Sequence, residues 1–320
     1  LDFYFMLLIF AGLVGGFLLL VLGADGLVRG GTSLALKLGM TPLVVGVTVV
    51  SFGTSMPELM VTIQSALADK SDLAVGNVVG SNIANIGLIL GAVALVSPIR
   101  VDRQLLRFDG PVALIAALAF VFFLSDGTVG RFEGLILFAG IFAYTTFNIV
   151  RARRKRAAQI ALVEEMSMQR PSAPLWQSSL FVFLGIVGLA AGGHFFVNAA
   201  ISLARILDVS EAVIGLTIVA VGTSLPELAT SMVAAFRGEA EISVGNCIGS
   251  NVFNIFCVIG ASSLLIPLGM GNVRMMDLLV MVGMSLVILP IMFTGFRISR
   301  FEGFLLLVAY AVYMYTLMPS

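Results

Sequence analysis

Gly46 to Gly91 reads GVTVVSFGTSMPELMVTIQSALADKSDLAVGNVVGSNIANIGLILG, and Gly215 to Gly260 reads GLTIVAVGTSLPELATSMVAAFRGEAEISVGNCIGSNVFNIFCVIG. The two stretches align without a gap at a constant offset of 169, with 19 of 46 positions identical. Shared composition scatters matches of Gly, Val and Leu, but it does not put Thr, Ser, Pro, Glu, Asn, Gly, Ser and Asn into one ungapped register. The offset also aligns Gly23 with Gly192 and Ser33 with Ser202, so the duplicated unit includes the helix before each core. A long-period repeat of this kind decides the architecture.

Around the repeat the chain is apolar. Of its 320 residues 59% are hydrophobic and 11% charged, whereas soluble domains carry about a quarter charged residues. Runs long enough to cross a ~30 Å hydrocarbon core lie near 5–36, 41–68, 73–97, 109–125, 132–151, 177–206, 210–237, 242–268, 273–294 and 300–318. Segments such as Leu114 to Leu124 are apolar on every face, unlike the alternating strands of a membrane barrel. The expected fold is therefore an all-α integral membrane protein with ten transmembrane helices. The first run lacks the small-residue cleavage signature of a signal peptide and is read as a retained helix.

Arg151, Arg153, Arg154, Lys155 and Arg156 open the one hydrophilic stretch, 151–176, and the positive-inside rule places such a cluster in the cytoplasm. Ten crossings then put both termini outside, with 14 of the 18 Lys and Arg on the inner side and 4 on the outer. The plan is a first five-helix repeat over 1–150 with its core at 46–91, a basic cytoplasmic linker over 151–176, and a second repeat over 177–320 with its core at 215–260. Five is odd, so the second copy enters the membrane from the opposite side. Inverted repeats of this kind are a transporter architecture, with substrate sites near the midplane between the halves.

Glu58 and Glu227 lie at least ten residues inside their apolar runs, where a carboxylate costs at least ~2.5 kcal/mol. No Lys or Arg in the central parts of the repeat helices can pair with them. A single buried Glu is commonly a protonated acid bonded to backbone; two at equivalent positions of a duplication favour a bound cation. Pro57 and Pro226 precede them, and a proline lacks the N–H that the carbonyl of Gly53 or Gly222 would accept. The helix is expected to break there and leave carbonyls for a hard cation. Thr54, Ser55 and Glu58 lie on one side of that turn, as do Thr223, Ser224 and Glu227. The next helix presents Asn77, Ser81 and Asn85, or Asn246, Ser250 and Asn254, four apart on one stripe. Ser81, Asn85, Ser250 and Asn254 are read as ligands, and Asn77, Asn82, Asn246 and Asn251 as structural. The all-oxygen set favours a hard ion over copper or zinc, and among divalents Ca2+ over the strictly octahedral Mg2+.

Other function classes find little support. The balance of 18 Lys+Arg against 18 Asp+Glu offers no basic field to nucleic acid. Cys247 and Cys257, ten residues apart on a helix, are about 15 Å apart and cannot form a disulfide. His194 is the sole histidine, so no Cys/His zinc set exists. Walker, Rossmann, HExxH and GxSxG patterns are absent, no cofactor is implied, and the chain is not read as an enzyme. Asp25 and His194 occupy equivalent positions, and Asp25 is expected to pair with Arg29 at i+4.

GTSMPE and GTSLPE, followed by GNVVGSNIANIG and GNCIGSNVFNIF, resemble the paired α-repeats of the sodium/calcium exchanger family, in a minimal, prokaryotic-type form. The resemblance implies alternating access between two helix bundles in the plasma (inner) membrane, with Ca2+ held by Glu58 and Glu227. Na+ would use the same glutamates with Thr54, Ser55, Thr223, Ser224, Ser81, Asn85, Ser250 and Asn254, three Na+ exchanging for one Ca2+. Some exchangers, including potassium-dependent ones, carry Asp where this chain has Asn254, so K+ co-transport is disfavoured. Proton/calcium exchange is the alternative, and Na+ remains first choice because proton-coupled relatives usually have a different, more acidic core. A cation channel is a further contrast, but channels usually surround an axis with subunits.

Overall fold

The computed structural model describes residues 3–38, 40–162, 174–207 and 220–317. In chain order the helices are α1 (Phe3–Leu38), α2 (Pro42–Thr54), α3 (Met56–Leu67), α4 (Ser71–Val96), α5 (Leu105–Phe123) and α6 (Arg131–Leu162). After the linker come α7 (Leu175–Ile206), the turn Ala220–Gly222, α8 (Leu225–Phe236), α9 (Ala240–Leu265), α10 (Met275–Phe293) and α11 (Arg300–Leu317). Eight of the described helices are long and apolar enough to cross a membrane, or nine when α2 and α3, bent by 43°, are one broken span. The run predicted at 210–237 is seen as α8 and the turn before it. Its first ten residues, among them 215–219 of the second repeat core, lie outside the described residues. So do 163–173 of the linker, whose first part, 151–162, continues α6 as helix.

Four dipeptide strands close the ends of the bundle. β1 (Ile99–Arg100) pairs antiparallel with β4 (Arg297–Ile298), and β2 (Thr128–Val129) with β3 (Leu268–Gly269). Because α5 separates β1 from β2, the two ribbons cap opposite ends, here named the β1·β4 end and the β2·β3 end. Adding 169 turns 99 into 268 and 129 into 298, so the pairs Ile99–Ile298 and Val129–Leu268 exchange when the repeats do. The Arg151–Arg156 cluster, at the C-terminal end of α6, lies at the β1·β4 end.

Burial sorts the helices. Over their most apolar 18 residues α4 and α9 are 78% buried, against 22% for α1 and 28% for α7, so α4 and α9 run through the middle. Phe17, Phe132, Phe183 and Phe301 are more than half exposed, as lipid-facing side chains are, and Tyr4, Trp176 and Tyr315 stand at helix ends where amphipathic rings favour the interface.

α1 and α7 meet backbone on backbone. Gly16, Gly23 and Gly30 recur every seven residues, and a Cβ on Gly16 or Gly23 would lie 2.6 Å from the Phe196 nitrogen or 2.7 Å from the Leu189 nitrogen. Gly185 and Gly192 answer them, 2.6 Å from the Leu27 nitrogen and 2.7 Å from the Leu20 nitrogen. Small residues allow this approach where lipid gives no hydrophobic drive to associate.

Candidate cation site

Both proline motifs break their helices as the sequence predicts. Ser55 (φ −87°, ψ 7°) separates α2 from α3, and Ser224 (φ −87°, ψ 4°) precedes α8. The Ser55 N–H donates to Ser51 O at 3.0 Å and the Ser224 N–H to Val221 O at 3.1 Å, while the following Leu59 and Leu228 N–H return to Ser55 O and Ser224 O. Glu58 and Glu227 therefore stand in the first turns of α3 and α8, at the positive ends of the helix dipoles. α7 passes over both breaks: a Cβ on Gly53 would meet Ile186 at 2.6 Å, and one on Gly222 would meet Val197 at 2.7 Å.

α4 and α9 bring the polar stripe against these breaks. Thr54 Oγ1 donates to Asn246 Oδ1 (3.0 Å), and its equivalent Thr223 Oγ1 to Asn77 Oδ1 (3.4 Å). Asn77 Nδ2 donates in turn to Glu58 O (3.4 Å) and Thr62 (3.0 Å), and Asn246 Nδ2 to Glu227 O (3.3 Å) and Ser231 (3.1 Å). These asparagines hold backbone, in keeping with a structural role. Thr62 and Ser231, which the sequence reading passed over, had a signal: they are a polar pair at the 169 offset, one turn beyond the glutamates.

Around the carboxylates, Glu227 Oε1 accepts from Ser55 (2.9 Å) and Ser250 (3.4 Å), while Ser224 reaches Ser81 at 3.3 Å and Thr54 lies 3.5 Å from Ser250. Ser81 and Ser224 stand beside Glu58. Asn85 donates to Asn251 Oδ1 (2.9 Å) and Asn254 to Asn82 Oδ1 (3.1 Å). Here both helices widen into π turns, Asn85–Leu90 and Asn254–Ile259, an irregularity frequent at functional sites.

All ten residues predicted for the site fall in this region, nine of them buried and Thr223 partly so. Among the described residues five acceptor oxygens there have no hydrogen-bond partner: both of Glu58, Oε2 of Glu227, and Oδ1 of Asn85 and Asn254. Burying such atoms unpaired is costly. Among the described residues neither Glu joins an ion pair, and no group of three or more His, Cys, Asp or Glu could hold a metal. Oxygen acceptors with net negative charge suit a hard cation. A cavity of about 530 Å³ runs from Asn77 and Thr223 to Asp72 and Asn272; α4 begins beside β3 there, Asn272 donating to Asp72 at 3.1 Å, so it opens at the β2·β3 end.

Two features escaped the sequence reading. Asp109, placed by its sequence at the edge of an apolar run, is buried and accepts from Tyr144 (2.9 Å) and Asn148 (3.3 Å), with Gln104 bonded to Asn148 (2.8 Å). Asp25 pairs with Arg29 as predicted (2.9 Å), and also with Arg237. Cys247 and Cys257 are free and buried.

Comparison with known proteins covers nearly the whole chain. The profile of the sodium/calcium exchanger protein family matches residues 8–150 and 178–318. A putative antiporter, CaxA of Alkalimonas amylolytica, is 36% identical over 313 residues, covering 95% of this chain and 97% of its own. The sodium/calcium exchanger MaX1 of Methanosarcina acetivorans is 33% identical over 336 aligned positions, 94% of this chain and 96% of its own. A solved structure of the sodium-calcium exchanger NCX_Mj, soaked with 2.5 mM Na+ and 0.1 mM Ca2+, superposes with a TM-score of 0.82 at 31% identity, covering 98% of this chain and 99% of that one.

Proposed function

The chain belongs to the sodium/calcium exchanger family, and on that premise we propose that it exchanges Ca2+ for Na+ across the plasma (inner) membrane by alternating access. The five oxygens of Glu58, Glu227, Asn85 and Asn254 left without a partner among the described residues carry this reading: they stand just after two helix breaks and at two π turns, each pair related by the repeat, and a hard cation would satisfy them. Glu58 and Glu227 are ligands common to both ions. Thr54, Ser55, Thr223, Ser224, Ser81, Asn85, Ser250 and Asn254 supply the surrounding hydroxyl, amide and carbonyl oxygens. Ten helices in two inverted repeats frame the site, a plan supported by the exchange of strand pairs between the repeats. The β1·β4 end, with the basic cluster, faces the cytoplasm and both termini face out.

The test is uptake of ⁴⁵Ca2+ into proteoliposomes under imposed Na+, K+ and H+ gradients in turn. Saturable uptake driven by an outward Na+ gradient supports the proposal. Uptake driven by a pH gradient alone replaces Na+ by H+, and a rapid passive conductance replaces exchange by a channel.

A further inference from the structure

We propose that Asp25 and Arg237 are positioning residues that hold the cation site open toward the β2·β3 end and so set which face of the exchanger takes up its ions at lower concentration. This rests on the alternating-access reading above. Arg237 is the C-cap of α8, its N–H bonded to Val233 O at 3.0 Å, and its side chain reaches across to Asp25 on α1. The side chains are only 34% and 27% exposed. Because α1 and α7 touch backbone to backbone along Gly16, Gly23, Gly185 and Gly192, they shift as one body. Arg237 stands ten residues, about 15 Å, beyond Glu227 on the same helix. The pair thus ties the α1–α7 body to the helix that carries one of the two carboxylates.

Its position in the bundle gives the tie a direction. α8 runs into α9, which ends at β3, so Arg237 lies at the β1·β4 end, opposite the cavity that reaches Asn77 and Thr223. That same end is sealed. A Cβ on Gly245 would lie 3.0 Å from Leu43 O, one on Gly249 would lie 2.6 Å from the Val47 Cα, and Ser51 Oγ donates to Gly46 O (2.7 Å) and Asn246 O (3.1 Å).

The repeat-equivalent positions do not carry a matching ion pair at the other end. Subtracting 169 from Arg237 gives Ala68 at the end of α3, and adding 169 to Asp25 gives His194, which bonds Asn198 on its own helix at 3.1 Å. An ion pair made in one of two exchanging arrangements favours that arrangement by its own worth. A site presented to one face for only part of the time shows a half-saturating concentration raised in inverse proportion. The native pair therefore tightens apparent Ca2+ binding at the β2·β3 face and weakens it at the β1·β4 face.

The experiment measures half-saturating Ca2+ on each face, in everted and right-side-out vesicles, for the full chain. Arg237→Gln is the cleaner variant because it leaves Asp25 and Arg29 paired. It should raise the value at the β2·β3 face and lower it at the β1·β4 face, changing their ratio roughly five-fold, and Asp25→Asn should act in the same direction. The charge swap Asp25→Arg with Arg237→Asp should restore the native ratio. Ala68→Arg with His194→Asp, at two exposed positions, installs the mirror tie in the native chain and should move the ratio the same way as breaking the original. Opposite movement on the two faces is what a purely structural role would not give. A ratio unchanged in Arg237→Gln and in the mirror variant, or a parallel loss on both faces, overturns the proposal. Absence of Na+-coupled Ca2+ transport in the unmutated chain would instead count against the exchange reading beneath it.

Discussion

Asn82 and Asn251, 169 positions apart, each donate a side-chain N–H to the other's main-chain carbonyl, at 3.4 and 3.2 Å. A main-chain carbonyl only accepts, so both amide nitrogens are fixed and both Oδ1 atoms must face donors. Those donors are Asn254 and Asn85, at 3.1 and 2.9 Å, which turns the oxygens of Asn85 and Asn254 away from this bridge and leaves them without a partner among the described residues. One reciprocal contact between the repeats thereby divides four asparagines into two that bind the halves together and two whose side-chain oxygens point away from the bridge.

Substitution should separate those roles. Asn82→Leu or Asn251→Leu strands buried partners at a cost of ~1–3 kcal/mol, so thermal unfolding in detergent should occur at lower temperature. Asn254→Asp also removes the N–H that Asn82 Oδ1 accepts, so it too should lower the unfolding temperature, but unlike the leucine variants it should alter how Na+ and K+ affect Ca2+ uptake, because it adds a third carboxylate beside two. Unchanged dependence on both monovalent ions would place residue 254 outside the ion shell.

Glu58→Gln and Glu227→Gln should each lower Ca2+ transport by roughly a hundredfold or more, since each removes half the charge facing a divalent ion while keeping the side-chain volume. Both proteins should purify as folded monodisperse species, for the amide retains hydrogen-bonding capacity. Near-normal uptake by either variant removes that residue from the site.

The glycine seam between α1 and α7 offers a prediction with an internal control. Gly23→Ala drives a methyl to 2.7 Å from the Leu189 nitrogen, and helices that must part lose ~1–3 kcal/mol. Gly15→Ala meets nothing within 4 Å and should gain helix propensity of up to ~1 kcal/mol. Thermal unfolding of the two variants should therefore shift in opposite directions; equal shifts would show that the seam does not decide the packing of this pair.

The proline breaks and the gathering of the polar residues into one region were legible because each follows from local chemistry repeated at a fixed offset: a missing N–H, a carboxylate without a partner, a stripe four residues apart. Arg237 as a partner of Asp25 was not, because sequence ranks the i+4 neighbour Arg29 and gives no ranking to a residue 212 positions away. Asp109 was hidden for a similar reason, since its partners Tyr144 and Asn148 lie on another helix. The π turns at Asn85 and Asn254 left no compositional mark.

Coupling follows from the charge of the site. Two carboxylates carry about −2, so one Ca2+ neutralises them, and Na+ added beside it would leave uncompensated charge in a low-dielectric interior. Ca2+ and Na+ should exclude each other. On the exchange reading proposed above, a site loaded with Ca2+ or with several Na+ would be near neutral and the bundle should reorient; empty, it would expose buried negative charge and should stay where it is, which would give exchange and not leak. Protons compete for the same oxygens, because a carboxyl that has taken one up no longer offers its charge to a metal ion. An outward Na+ gradient should therefore drive Ca2+ into vesicles, with less uptake as the pH falls and with a dependence on membrane potential if three Na+ leave for each Ca2+. Competition also predicts that, with Ca2+ varied at each of several external Na+ concentrations, more Na+ increases the half-saturating Ca2+ concentration. Full uptake under a pH gradient in Na+-free buffer, with no response to Na+, would transfer the coupling to protons while leaving the two glutamates as the Ca2+ ligands.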